Sequence, residues 1–125
     1  MTGDGKKFDI KERVLEFVVD VARLADKLPR KYSAQTYAKQ LIRASSSIGA
    51  NLEEADGAVS RKDFLNKLGI ARKEANETKY WLQLIDRTGL FMNKANIAEL
   101  QHLLCESVEL KLILSAIIKN TKANS

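Results

Sequence analysis

The stretch Tyr37–Gly57 constrains the fold of this chain more than any other. Its apolar residues recur at the three-, four- and seven-residue steps of one buried face of an α-helix; they are Tyr37, Leu41, Ala44, Ile48 and Ala55. Beside this face runs a polar line formed by Arg43, Ser47, Asn51 and Glu54. Polar groups at the edge of a buried face require hydrogen-bond partners. The pattern therefore predicts a helix that packs against another helix, a second subunit or a ligand.

Three further segments show the same helical period, so the sequence predicts an all-α fold. A chain of 125 residues forms one domain, 1–125, with loose ends. Short connections between successive helices favour an antiparallel up-down-up-down four-helix bundle. We expect the helices at about 10–28, 34–56, 61–88 and 94–119. The buried face of the fourth helix is expected to consist of Ile97, Leu100, Leu104, Val108, Leu114, Ile117 and Ile118.

Local signals at the helix ends support this division. Each helix has a candidate cap at its start. The caps of the first three helices are Asp9 with Glu12, Ser33, and Ser60 with Asp63. For the fourth helix the candidates are Asn93 and Asn96, of which Asn96 with Glu99 makes the better capping box. At the ends, Pro29 is expected to terminate the first helix and Gly89 the third, and Gly57 to stop the second in the left-handed conformation.

The third helix carries an apolar stripe besides its core face, and this stripe predicts a second contact surface. Ile70, Trp81 and Leu84 lie on a side largely separate from the core line. One bundle buries one broad stripe per helix, so these residues form a candidate oligomer interface. The alternative is a wide core with Trp81 across its edge.

Glu74 and Glu77 lie on this same side and are expected to meet Arg43 or Asn51 of the second helix. We interpret Arg43, Ser47, Asn51, Glu54 and Glu77 as one polar network. It either sets the register of the helices or binds a partner.

The net charge of +5 permits attraction to nucleic acid. Pairs of cations recur eleven residues apart on the third helix, a spacing that returns to the same side. The candidate nucleic-acid-binding residues are Arg61, Lys62, Arg72, Lys73 and Lys79. The alternative is a solvated charged face interrupted by Asp63, Glu74 and Asp86.

The sequence lacks the signatures of catalysis, and no catalytic residue or cofactor is predicted. It contains no glycine-rich phosphate loop or nucleophile elbow. His102 is the one histidine, and with Glu99 it forms a single Glu-x-x-His that cannot complete a metal site. Cys105 is expected to be a small buried hydrophobe. No apolar run is long enough to span a membrane, and no secretory signal occurs, so a cytoplasmic location is expected.

Two motifs of this sequence can be compared with those of known families. The first motif is Arg43-Ala44-x-x-Ser47-Ile48-x-x-Asn51-x-x-Glu54. The second is Ser60-x-Lys62-Asp63-Phe64-x-x-x-Leu68-x-Ile70-Ala71-Arg72, followed by Glu77 and Leu82. In order and spacing they resemble a family of small bacterial four-helix-bundle proteins that includes those encoded by intervening sequences in large-subunit ribosomal RNA genes. The resemblance covers about residues 10–118 and implies a ring of five bundles. Relatives serve as accessory proteins of diversity-generating retroelements, where they bind a reverse transcriptase and nucleic acid.

Lys73 and Glu74 depart from the family pattern, which has glycine and a small hydroxyl residue at these positions, and this places the chain on a different branch. The sequence and the resemblance together predict a non-enzymatic, oligomeric helical-bundle protein, a homopentamer. Its expected partners are RNA, DNA or a nucleic-acid-handling protein. The alternative is a protein-protein interaction scaffold that binds no nucleic acid.

Overall fold

A computed structural model describes residues 9–124, which form four α-helices. We number them α1 (Asp9–Ala25), α2 (Tyr32–Asp56), α3 (Arg61–Arg87) and α4 (Lys94–Ala123). No strand occurs within residues 9–124, and the predicted all-α class is confirmed. None of these helices combines the length and the apolar character needed to cross a membrane.

Each helix packs against the two that neighbour it in a cycle, α1 on α2, α2 on α3, α3 on α4 and α4 on α1. Side-chain contacts between α3 and α4 show that the two helices run in opposite directions. Partner numbers rise along α3 while they fall along α4, in the pairs Arg72–Ser115, Asn76–Lys111 and Asp86–Gln101. The pairs Arg43–Glu74 and Glu54–Lys67 show the same antiparallel arrangement for α2 and α3. The predicted four-helix bundle is confirmed by the four helices and their cyclic packing.

The core is built from the apolar stripes that the sequence shows on α1, α2 and α3. Its fully buried residues include Val14, Val21, Leu41, Ile48, Leu52, Leu68, Leu82 and Ile85. Alanines occupy several buried positions where α2 meets α3, namely Ala44, Ala55, Ala71 and Ala75. Because a methyl group needs little room, these alanines let α2 and α3 pack closely, and this pair makes the most extensive contact in the bundle.

The buried face of α4 differs from the prediction. Ile97 and Val108 remain 39% and 41% exposed. The core positions on this helix are Leu100, Leu103, Ser107, Leu110, Leu114 and Ile118, while Leu104 and Ile117 are half-buried. α4 is apolar on several sides, so its sequence period could not select the inward side. Cys105, predicted to be buried, is exposed, because it lies outside the face that packing turns inward.

Several predicted helix ends differ in detail. α1 ends at Ala25, and a turn over residues 26–28 precedes Pro29. α2 begins at Tyr32, so Ser33 lies inside the helix, and Lys31 stands at the capping position without a side-chain hydrogen bond. Gly57 has a φ of −97°, which is not left-handed. Helix ends fray, so local end signals locate them less sharply than the helical period locates the helix itself. The predicted Asp9 cap depends on a side chain outside the described residues.

The ends of α3 follow the prediction, while the start of α4 uses the alternative cap. Ser60 Oγ accepts a hydrogen bond from the Asp63 N–H at 3.0 Å. Gly89, just beyond α3, has a φ of +64°, a conformation that favours glycine. Asn93 Oδ1, rather than the preferred Asn96, accepts hydrogen bonds from the first amides of α4. A single asparagine therefore serves two otherwise unpaired amide groups.

Candidate functional site

Arg43 joins α2 to α3. Its Nη1 donates to Glu74 Oε1 at 3.4 Å, and its Nη2 donates to Glu77 Oε2. Nε donates to Gln40 Oε1 at 2.9 Å within α2. The guanidinium thus contacts two carboxylates on the neighbouring helix. Such charge-assisted contacts hold two antiparallel helices in a defined register.

Trp81 shares Glu77 with Arg43. The indole Nε1 donates to Glu77 Oε2 at 3.0 Å, so one carboxylate oxygen accepts from both side chains. The Trp81 ring lies 6.1 Å from the Tyr37 ring of α2, tilted by 35°. Trp81 is half-buried and packs against the core. Arg43, Glu77, Trp81 and Tyr37 therefore form a cluster that crosses from α2 to α3, which we call the Arg43 cluster.

The other members of the predicted polar network have separate partners. Asn51 Nδ2 donates to the Ser47 carbonyl at 2.9 Å and to Ser47 Oγ at 3.2 Å, both within α2. Glu54 accepts from Lys67 of α3, with Oε1 and Nζ 2.8 Å apart. This hydrogen bond raises the pKa of Lys67. The polar line of α2 therefore divides into the Arg43 cluster, a hydrogen bond within α2, and an ion pair to α3.

A second group of polar contacts follows the groove between α3 and α4, which we call the basic seam. Arg72 Nη1 lies 3.5 Å from Ser115 Oγ, and Lys111 Nζ donates to Asn76 Oδ1 at 3.1 Å. Lys79 stands further along α3, at the edge of a shallow depression of about 330 Å³. The structure thus places Arg72 and Lys79, both predicted on α3, beside Lys111 of α4, which the sequence did not single out.

Positive charge is concentrated in the half of the chain that forms this seam. Residues 61–124 contain eleven Lys and Arg residues and seven Asp and Glu residues, whereas residues 9–60 contain eight of each kind. Three of the acids in residues 61–124 form ion pairs with other helices, since Glu74 and Glu77 pair with Arg43 of α2, and Glu106 pairs with Arg13 of α1. Asp86 is an acid at the seam, and it accepts from Gln101 at 3.0 Å. The cations of the seam therefore outnumber its acids.

The remaining predicted cations occupy two positions on α3. Arg61 precedes Arg72 by three helical turns and shares its direction, so it extends the basic seam toward the start of α3. Lys62 and Lys73 share a different direction, turned about 100° from that of Arg61 and Arg72. All three of Arg61, Lys62 and Lys73 are exposed. The five predicted residues therefore form a seam line and an outer line, not one row.

The three residues predicted to form an oligomer interface, Ile70, Trp81 and Leu84, are all half-buried in the isolated chain. Exposed aliphatic side chains also lie on α1 and α2. Leu15, 58% exposed, lines a groove between these two helices, and Val19 of α1 and Ile42 of α2 are 39% and 38% exposed. The sequence did not predict this groove. Leu15 and Val19, four residues apart, were the available signal, but they lie beside a stronger core stripe.

The seam between α1 and α4 is joined by Arg13 and Glu106. Arg13 Nε and Nη2 donate to the two carboxylate oxygens of Glu106 at 2.7 and 2.9 Å. These hydrogen bonds lower the pKa of Glu106, against the opposing effect of its partial burial. At the edge of the α1–α2 groove, Lys11 pairs with Asp56 and Glu53. These carboxylates have a structural role, since each neutralises a cation on the adjacent helix.

Among residues 9–124, no three His, Cys, Asp or Glu side chains come together in a way that could hold a metal ion. His102 is exposed on α4.

The chain resembles known proteins over most of its length. The family model described as 23S rRNA-intervening sequence protein matches residues 6–120. A solved structure from Bacteroides thetaiotaomicron VPI-5482, described as a protein with unknown function from the S23 ribosomal protein family, is 41% identical and superposes with a TM-score of 0.78. That similarity covers 88% of this chain and 98% of the Bacteroides chain. No curated protein matches the sequence.

Proposed function

We propose that this chain, which belongs to the family of 23S rRNA-intervening sequence proteins, is a non-enzymatic accessory protein that binds nucleic acid or a nucleoprotein in the cytoplasm. The observation that carries this proposal is the basic seam. Arg72, Lys79 and Lys111 come from two helices and stand along one groove. Among the carboxylates of α3 and α4, Glu74 and Glu77 are paired with Arg43 of α2, and Glu106 is paired with Arg13 of α1.

Phosphate binding is the chemistry that such a surface supports. A cation that contacts a phosphate releases condensed counterions, so the affinity falls steeply as salt increases. Each neutralised phosphate contributes about 0.9 to the slope of log K against log salt for duplex DNA. Three seam cations would therefore account for a slope of about 2.7.

The test is a titration of the purified protein with structured RNA and with duplex DNA at low and near-physiological salt. The seam variant combines Arg72→Gln, Lys79→Gln and Lys111→Gln. A matched control combines Arg23→Gln, Lys27→Gln and Lys39→Gln, which removes the same charge from exposed positions on α1, α2 and the turn after α1.

We expect salt-sensitive binding by the parent protein and the control. The seam variant should bind at least about tenfold more weakly at low salt and lose about 2.7 units of slope. Equal binding by the two variants would assign the interaction to net charge and reject the seam as the site. No binding by the parent protein at low salt would reject the proposed function.

Self-association into a ring of five is the second part of the proposal. It is supported by Ile70, Trp81 and Leu84 of α3, which remain half-buried in the isolated chain. Because Trp81 also packs within its own bundle, Leu84→Ser is the better probe. We expect light scattering to show a smaller assembly for this variant with unchanged helix content. A monomeric parent protein would reject the ring, and an unchanged assembly would remove Leu84 from its interface.

The competing function is a protein-protein scaffold that recognises an amphipathic helix. The exposed aliphatic residues Leu15, Val19 and Ile42 favour it, since exposed apolar surface marks sites of protein-protein contact. An apolar contact of this type is insensitive to salt, in contrast to phosphate binding. Polar substitution of Leu15 and Val19 should abolish it without affecting nucleic-acid binding.

A further inference from the structure

We infer that the basic seam holds the backbone of a nucleic-acid duplex rather than a single strand, and reads its shape rather than its sequence. This inference rests on the proposed function and specifies the ligand class of the same site. Three features of the seam support it: its length, the position of the exposed aromatic residues, and the side chains between its cations.

The length of the seam matches about one turn of duplex. Arg61 and Arg87 stand near the two ends of α3, and the helical rise between them amounts to about 39 Å. At about 3.4 Å per base pair, this distance corresponds to about 11 base pairs. Arg72 and Lys79 divide the interval, and Lys111 adds a cation from α4 beside Asn76. The cations are thus distributed along the length of α3, as contact with a rod-like ligand requires, instead of being gathered at one point.

Single-strand binding usually relies on aromatic side chains on which successive bases stack. Among residues 9–124, the exposed aromatic side chains are Tyr32 and Tyr80. Tyr32 begins α2, which is not one of the two helices of the seam. The Tyr80 ring meets Trp81 edge-on, with centroids 5.2 Å apart. The side chains that form the hydrogen bonds between α3 and α4 and line the depression beside Lys79 include no exposed aromatic residue, so they contain no stacking platform.

The side chains between the cations suit backbone contacts. Asn76, Gln83 and Gln101 supply amide donors and acceptors along the seam. The depression beside Lys79 is shallow and has Leu104 and Val108 in its wall. Base edges in a duplex are reached by an element that enters a groove, and two packed helices present a broad surface instead. Phosphates, and 2′-hydroxyls in an RNA duplex, are the groups that remain accessible to it.

The experiment compares one sequence as single-stranded RNA, as RNA duplex and as DNA duplex, each in lengths of about 6, 12 and 18 base pairs or nucleotides. We expect the duplexes to bind at least about tenfold more tightly than the single strand at equal length. Affinity should rise steeply between about 6 and 12 base pairs, where the seam becomes filled. A scrambled duplex should bind within about twofold of the original. RNA and DNA duplexes then show whether the 2′-hydroxyl contributes.

Two variants locate the site. The seam variant should weaken duplex binding, and Tyr80→Leu should leave it within about twofold of the parent protein. The duplex inference would be overturned if single strands bound as tightly as duplexes, or if Tyr80→Leu abolished binding. Either result would leave the proposed nucleic-acid binding intact. Absence of binding to all three ligands would overturn the proposed function, and the inference with it.

Discussion

Replacing Arg43 by methionine tests whether the Arg43 cluster holds the bundle together or serves a partner. The substitution keeps much of the apolar stem and removes a guanidinium that contacts Gln40, Glu74 and Glu77. Glu74 would then lose its cation while its side chain is only 13% exposed. A carboxylate that is largely removed from water and left without a countercharge destabilises the folded state.

The expected loss lies between two limits. Exposed ion pairs contribute about 0.2–1 kcal/mol, whereas breaking a fully buried pair costs about 3–5 kcal/mol. Arg43 itself is 47% exposed, which places the pair nearer the lower limit. We therefore expect Arg43→Met to reduce the free energy of unfolding by about 1–2 kcal/mol. For a domain of this size, that loss corresponds to a fall in Tm of about 4–8 °C.

Urea unfolding followed by far-ultraviolet circular dichroism, at matched protomer concentrations, measures this loss. Lys39→Met is the control, since Lys39 is exposed on the same helix one turn earlier. Glu74→Gln should recover about half of the loss in the Arg43→Met background, because it removes the unbalanced charge. A free energy of unfolding within about 0.3 kcal/mol of the parent value would refute a structural role for Arg43. The cluster would then be a candidate binding site.

Three further predictions concern single positions. Arg13 lowers the pKa of Glu106 in the folded state. This pair therefore stabilises the protein at pH values above the unfolded carboxyl pKa of about 4.3, and its contribution disappears as the pH falls through the folded pKa. Glu106→Gln should therefore reduce the difference in unfolding free energy between neutral and acidic solution. Gly69→Ala should stabilise the helix interior by about 0.5–1 kcal/mol, since no atom lies within 4 Å of the added methyl group, whereas Gly89→Ala should destabilise by about 1 kcal/mol because Gly89 has a φ of +64°. Thermal melts would contradict this pair if both variants shifted in the same direction. Ser60→Ala should cost about 1 kcal/mol in urea unfolding through loss of the cap on Asp63, and an unchanged midpoint would show that the cap contributes nothing.

The polar line of α2 shows which side-chain contacts can be predicted from residue spacing in the sequence. Its period correctly indicated that Arg43 could reach the carboxylates of the third helix, because the two helices were expected to be neighbours. The spacing could not show that Asn51 bonds to Ser47 of its own helix, or that Glu54 pairs with Lys67. Side chains four residues apart on a helix are as close as side chains on a facing helix. The choice between these partners depends on how the two helices are rotated against each other.

The number and the period of the helices follow from local properties of this sequence, because helical periodicity acts over a few residues, whereas several helix ends differ from those that the local capping signals predicted. The family motifs around Arg43 and Lys62 are likewise a property of the sequence. Tertiary structure decided which side of α4 turns inward, since that helix is apolar on several sides and Val108 competes with Leu110 for the core. It also decided that Lys111 joins Arg72 and Lys79 in one seam. A charge on one helix carries no signal of the helix it will face, and only packing brings the two together.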